Sequence, residues 1–217
     1  MIKLVLTKDG SHTLYNTDLD VWHHSVNGAV QESMRVFIEL GLWPKLQEKQ
    51  TIKIFEMGLG TGLNVLLTAL EAQKEQTNIV YEVIEAYPIG QEEIAALNYG
   101  EIFSTNLLTK IHEATWEQTV AIDTGFQLKK VQQDLLQYDL GNNIDLIFYD
   151  AFSPTTQPEL WTEEVFVKLY NAMNKGGFLT TYCSKTVVRK ALIAAGFKVE
   201  KHPGPYGKRE VLRAVKE

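Results

Sequence analysis

The stretch TIKIFEMGLGTGLNVLLTALEA, residues 51–72, constrains the fold more than any other part of this chain. Thr51 to Met57 is an apolar run rich in β-branched and aromatic residues, as a buried parallel strand requires. Gly58, Gly60 and Gly62 then space a tight turn, and Leu63 to Leu70 carries helical apolar periodicity. A strand, a glycine loop and a helix in this order aim backbone N–H groups and a helix N-terminus at whatever lies above the sheet. That geometry suits a cofactor bearing adenosine. The glycines fall at i, i+2 and i+4, not at the G-x-G-x-x-G spacing that cradles a dinucleotide pyrophosphate. Glu56, just ahead of the turn, would repel phosphates and accept from a cationic amine. The loop therefore favours S-adenosylmethionine (SAM) over NAD or ATP, with a plain structural turn as the alternative.

Around this unit the chain alternates strand and helix, which predicts a doubly wound α/β sheet. Residues 3–7 and 11–15 flank Lys8-Asp9-Gly10 and read as a hairpin. Residues 27–43 read as an amphipathic helix ended by Gly41 and stopped at Pro44. Further strands are expected at 78–86, 143–152 and 177–183, and a hairpin at 119–134 around Asp123-Thr124-Gly125. Helices are expected around 89–100, 158–173 and 185–195. Two closing strands with no helix between them predict an antiparallel finish. The expected organisation is an N-terminal hairpin and helix, 1–48, packed on a core domain, 49–217.

Ligands of such sheets bind beyond the carboxyl ends of the strands. Four acids fall at those ends in succession: Glu56, Glu85, Asp134 and Asp150. Glu85 is placed to take the hydroxyls of a ribose, and Asp134 an adenine amino group. Each alone could be a helix cap or a turn acid. Asp150 lies in Tyr149-Asp150-Ala151-Phe152-Ser153-Pro154, where Tyr149, Phe152, Pro154 and Trp161 could form a dry aromatic wall, Trp161 being better suited to the core. Methylating an aliphatic amine needs its free base, although such an amine is mostly protonated near neutrality. A carboxylate in a desolvated pocket helps remove and hold that proton, and Asp150 is the candidate.

Composition narrows the remaining classes. No apolar run approaches the roughly 20 residues of a membrane span, and the N-terminus lacks the pattern of a signal peptide. The cytoplasm is the expected compartment. The single cysteine, Cys183, forms no internal disulfide and no cysteine-based zinc site, and reads as a buried small hydrophobe. The adjacent His23 and His24 are poorly spaced to converge on one ion, so no metal is expected. The net charge is −6, but residues 185–217 carry +6 and the rest −12. Lys185, Lys208 and Arg209 in this basic end are candidates for phosphate contact, against the alternative of a solvated charged surface.

Three blocks of the sequence resemble the methyltransferase domain of the MnmC family, which finishes 5-methylaminomethyl-2-thiouridine at the wobble position of tRNA. They are Val21 to Leu42 (with Gly28, Glu32, Ser33, Val36 and Phe37), EMGLGTGLNVL at 56–66, and YDAFSPTTQPELWT at 149–162. The tail GPYGKREVL at 204–212 also fits. The resemblance implies a Rossmann-like class I fold: a mostly parallel sheet with an antiparallel last strand and a small N-terminal hairpin and helix. It implies SAM binding at Glu56, Gly58, Gly60, Gly62, Asn64, Glu85 and Asp134. It implies Asp150 beside the substrate amine. Substrate contacts are expected from Glu32, Phe152, Pro154, Lys185, Lys208 and Arg209.

The implied partners are the anticodon region of tRNA and the enzymes that install the 5-aminomethyl group, with no membrane. The family's fused FAD-dependent domain has no counterpart in these 217 residues, so a stand-alone form with no FAD is expected. A methyltransferase for another RNA site or a small amine, and a non-catalytic nucleoside-binding module, remain the alternative readings.

Overall fold

Parallel strand register decides where the functional acids come to lie. A computed structural model describes residues 1–217. The main sheet has eight strands: β4 (Thr51–Met57), β5 (Asn78–Ile84), β6 (Thr119–Asp123), β7 (Phe126–Val131), β8 (Ile144–Tyr149), β9 (Met173–Thr181), β10 (Lys198–Pro203) and β11 (Glu210–Val215). Their order is β10-β11-β9-β8-β4-β5-β7-β6. The five central strands, from β9 to β7, run parallel, while β6, β10 and β11 each pair antiparallel. In the register Met57 lies opposite both Ile84 and Tyr149, and Ile84 opposite Val131. The next residue of each strand (Gly58, Glu85, Asp150, Gln132) therefore emerges in one row. β8 is buried along its whole length, as a central parallel strand covered on both faces must be.

Three short strands, β1 (Ile2–Leu6), β2 (His12–Asn16) and β3 (Val21–Trp22), form a separate antiparallel sheet. The hairpin lies at the expected place, and β3 is an addition to it. A helical run over 29–46 follows, with an α turn at Ala29–Ser33, π winding at Met34–Leu42 and a final turn at Trp43–Leu46. The hairpin caps the start of this run. Asp9 Oδ2 accepts from the Gln31 N–H at 3.0 Å, and Ser11 Oγ accepts from Ala29 and Val30 at 3.2 and 3.3 Å. These bonds satisfy orphan donors of the first turn and tie the small sheet to the helix.

The expected stop at Gly41 and Pro44 is corrected: the helical run continues to Leu46. Pro44 stands in the first turn of the last segment, where its missing N–H and fixed φ are tolerated. Gly41 serves close packing, since a Cβ there would lie 2.9 Å from Phe148 Cε1 on β8. Two helices expected as single pieces are divided, the first into Gln91–Ala96 and Tyr99–Ile102, the second into a 3-10 turn Pro158–Trp161 and Glu163–Ala172. Thr162 caps the latter, its Oγ1 accepting from Val165 N. Leu107–Glu113 is a helix that periodicity did not reveal, too short for a clear pattern. No helix is long and apolar enough to cross a membrane.

Because the helical run presses on β8 at Gly41, Gly41→Val should lower the unfolding free energy by about 1–3 kcal/mol through overpacking. Urea unfolding should show a lower midpoint with an unchanged m-value; an unchanged midpoint would mean that the helix does not bear on the sheet there.

Candidate active site

The turn after β4 brings backbone against backbone. Gly58 has φ +94°, and a Cβ there would sit 3.0 Å from the carbonyl oxygen of Asp150. The chain thus crosses β8's end at a distance that only glycine allows. Gly60, with φ +49°, faces His23, whose Nδ1 would be 3.3 Å from a Cβ. The Gly60 N–H donates to Glu85 Oε2 at 3.1 Å, while Glu85 Oε1 accepts from Tyr87 N–H at 2.9 Å. Gly62 begins the helix Leu63–Glu75.

Asn64, in the first turn of that helix, links two carboxyl groups. Its Nδ2 donates to Glu56 Oε1 at 2.7 Å and to Asp150 Oδ2 at 3.0 Å. Tyr81 donates to the other Glu56 oxygen at 2.8 Å. Glu56 is wholly buried within β4 and both its oxygens are taken, so it supports Asn64 from below. Burial raises its proton affinity well above the ordinary carboxyl range, against the hydrogen bond from Asn64 and reinforced by the charge of Asp150. Burial also raises Asp150, with the charge of Glu32 adding to it, to a pKa of about 7; Asn64 and Lys208 pull the other way.

Asp150 forms part of a cavity of about 440 Å³. Glu32 faces it, with Oε2 accepting from the Ser25 N–H at 2.7 Å and Oε1 paired with the Lys208 ammonium. That ammonium sits 4.1 Å from the centroid of Tyr182, whose hydroxyl donates to the Ala151 carbonyl at 2.9 Å. Phe152 and His23 meet edge to face, 5.4 Å between centroids. Burial, and then the charge of His24, lowers the pKa of His23 to about 4, so its imidazole is neutral. His24 points to Thr13 on β2. No group of three or more His, Cys, Asp or Glu side chains is placed to hold a metal ion.

The other anticipated residues fall in several places. Phe152 and Glu32 line the cavity, and so does Lys208. The idea that Lys208 joins Arg209 in an open phosphate-binding face is corrected, because Lys208 is turned inward onto Glu32 while Arg209 and Lys185 are exposed. Pro154 is outside the cavity wall, although Ser153 and Thr155 belong to it. Tyr149 and Trp161 back the wall from within the core: the Trp161 indole donates to the Phe152 carbonyl at 2.7 Å. Asp134 lies three residues past β7, exposed, with Oδ1 accepting from Leu136 N–H at 2.9 Å. Cys183 is buried. Trp22, His23 and Tyr182 also line the cavity, and nothing in their local sequence marks them for it. A second cavity, about 220 Å³, has Gly60, Ile89, Trp116 and Gln132 in its wall.

Comparison with known proteins bears on this geometry. A family model described as S-adenosyl-L-methionine-dependent methyltransferase matches residues 101–217. The chain belongs to this methyltransferase family. It is 30% identical over 234 residues to the tRNA 5-methylaminomethyl-2-thiouridine biosynthesis bifunctional protein MnmC of Actinobacillus pleuropneumoniae serotype 5b, covering 95% of this chain and 34% of that protein. The MnmC of Leptospira interrogans serovar copenhageni is 29% identical over 222 residues, covering 96% and 34%. This methyltransferase therefore spans about a third of the length of those relatives. Among solved structures, MNMC2 from Aquifex aeolicus superposes with a TM-score of 0.81 at 26% identity, covering all of this chain and 71% of that one. Spermidine synthase from Thermotoga maritima shares the fold, with a TM-score of 0.58 at 16% identity over 95% of this chain and 69% of that one.

The site suits the cofactor of this methyltransferase family. Asn64 Oδ1 is buried without a donor beside the carboxyl groups of Glu56 and Asp150, an unmet acceptor that the amine of that cofactor would satisfy.

The raised Asp150 pKa carries a sign for stability. Its ordinary value is 3.8, so between about pH 4 and 7 the folded methyltransferase binds a proton that the unfolded chain has lost. Stability from this group falls as pH rises through that window. Asp150→Asn removes the effect, so urea midpoints should show the variant gaining on wild type from pH 4 to pH 8; a constant difference would contradict the assignment.

Proposed function

We propose that this methyltransferase transfers the methyl group of SAM to the primary amine of 5-aminomethyluridine at the wobble position of tRNA, giving 5-methylaminomethyl-(2-thio)uridine. The carrying observation is Asp150: a carboxyl group with a pKa of about 7 in the wall of an open cavity, linked through Asn64 to the first turn after the glycine loop. Similarity to the MnmC proteins over nearly the whole chain supports the choice of substrate.

SAM supplies a methyl group already activated by its sulfonium. We assign the ribose hydroxyls to Glu85, the adenine amino group to Asp134, the close approach of backbone to Gly58 and Gly60, and a cationic donor to Asn64 Oδ1. Gly62 starts the helix, and Glu56 holds Asn64 in place. The substrate amine enters beside Asp150, with Phe152 and Tyr182 as aromatic walls. Its lone pair forms the new C–N bond as the C–S bond breaks, leaving S-adenosylhomocysteine. Asp150 takes a proton from the nitrogen, and a pKa near neutrality suits it to hold one. Glu32 and Asp150 together favour a cationic amine over an anion, while Lys208 keeps their mutual repulsion bounded.

The exchange is not a redox step and calls for no flavin. Lys185 and Arg209, both exposed, serve tRNA phosphates. Residues 49–217 make the catalytic domain, and residues 1–48 close one side of its substrate cavity. The reaction belongs in the cytoplasm, downstream of the enzymes that install the aminomethyl group.

Nucleoside mass spectrometry of tRNA from a deletion strain tests this. We expect 5-aminomethyl-(2-thio)uridine to accumulate, and restoration by the wild-type gene but not by Asp150→Asn, whose turnover should fall about 100-fold or more with SAM binding kept. An unchanged nucleoside profile on deletion would overturn the reading.

A further inference from the structure

We propose that Trp22 is a base-stacking platform at the mouth of the cavity, holding the nucleobase next to the methylated uridine in a single-stranded stretch of RNA. The inference rests on the tRNA reading above and names a part of the substrate-binding surface that neither the glycine loop nor the acidic cluster supplies.

Trp22 ends β3 and lies opposite Tyr15 of β2. The two rings stack, with centroids 4.5 Å apart and planes 27° from parallel. The Tyr15 hydroxyl donates to Asp20 at 2.6 Å, which anchors the end of that ring. One indole face is thus covered, yet the residue remains 40% exposed and lines the same cavity as Asp150. The other tryptophans are occupied. The indole N–H groups of Trp43 and Trp161 donate to Glu71 and to the Phe152 carbonyl, and Trp116 lies beneath the Lys130 ammonium at 4.7 Å. The Trp22 N–H has no partner in the protein.

Strand alternation explains the placement. Successive side chains of an extended segment point to opposite sides, so His23 turns inward against Phe152 while Trp22 stands at the rim. The inner space between His23, Phe152 and Asp150 takes the amine-bearing uridine. A base one nucleotide away then meets the rim. Single-stranded RNA is held by unstacked bases laid on aromatic side chains, and a Tyr15–Trp22 pair stacked beforehand loses little freedom when a base is added.

The test compares two anticodon stem–loops, each bearing 5-aminomethyluridine at the wobble position, one intact and one with abasic sites on both sides of that uridine. Wild type should favour the intact RNA in kcat/KM by about ten-fold or more. Trp22→Ala should abolish that preference, and Trp22→Phe should retain most of it. SAM affinity, measured by calorimetry for each variant, reports that the fold is kept. A preference that survives in Trp22→Ala, or is absent from wild type, would overturn the role of Trp22 and leave the tRNA reading standing. Failure of wild type to methylate either RNA would overturn both.

Discussion

The Asn64 side-chain amide holds the site together. One nitrogen donates to Glu56 from β4 and to Asp150 beyond β8, and the helix after the glycine loop carries it. Two carboxyl groups taken out of water would otherwise face each other with no donor between them, which is costly for buried charge. The bridge forms because the register levels Met57 with Tyr149 and because Gly58 lets the turn cross close to Asp150. Strand pairing, glycine geometry and the proton affinity of Asp150 are thus parts of one arrangement.

Both ends of the chain reach the cavity wall that the segment from Asp150 to Thr156 begins. Asp9 and Ser11 of the N-terminal hairpin cap the helical run that carries Glu32. Lys208, in the loop between the last two strands, reaches across to Glu32 and lies over Tyr182. The small sheet therefore does more than cover the core. It positions His23 and Trp22 on one side of the cavity while the ion pair closes another. The one lysine in the wall is already paired with Glu32, and Asp150 stands beside them, which suits a cationic amine and not a phosphate.

What could be read in the sequence divides along physical lines. The glycine turn, Glu85 and Asp150 were legible because parallel strands end at predictable places, and the functional edge of a doubly wound sheet is its carboxyl edge. Asn64 and Glu32 were reached through family resemblance, without their bonds. Trp22, His23, Tyr182 and the inward turn of Lys208 depend on contacts between segments far apart in the chain, which local periodicity does not encode. Gly41 and Pro44 carried helix-ending signals that tertiary packing overrode. Asp134 was expected at a strand end and lies in the turn beyond it, since β7 stops at Val131.

The central claim is that the fold keeps the Asp150 carboxyl ready to take a proton near neutral pH. Carbon-detected NMR of protein labelled at aspartate side-chain carboxyls, titrated from pH 4 to 9, reads this directly. We expect one carboxyl resonance to titrate near pH 7 and to be missing from Asp150→Asn. Aspartates that all titrate in the ordinary carboxyl range would contradict the claim.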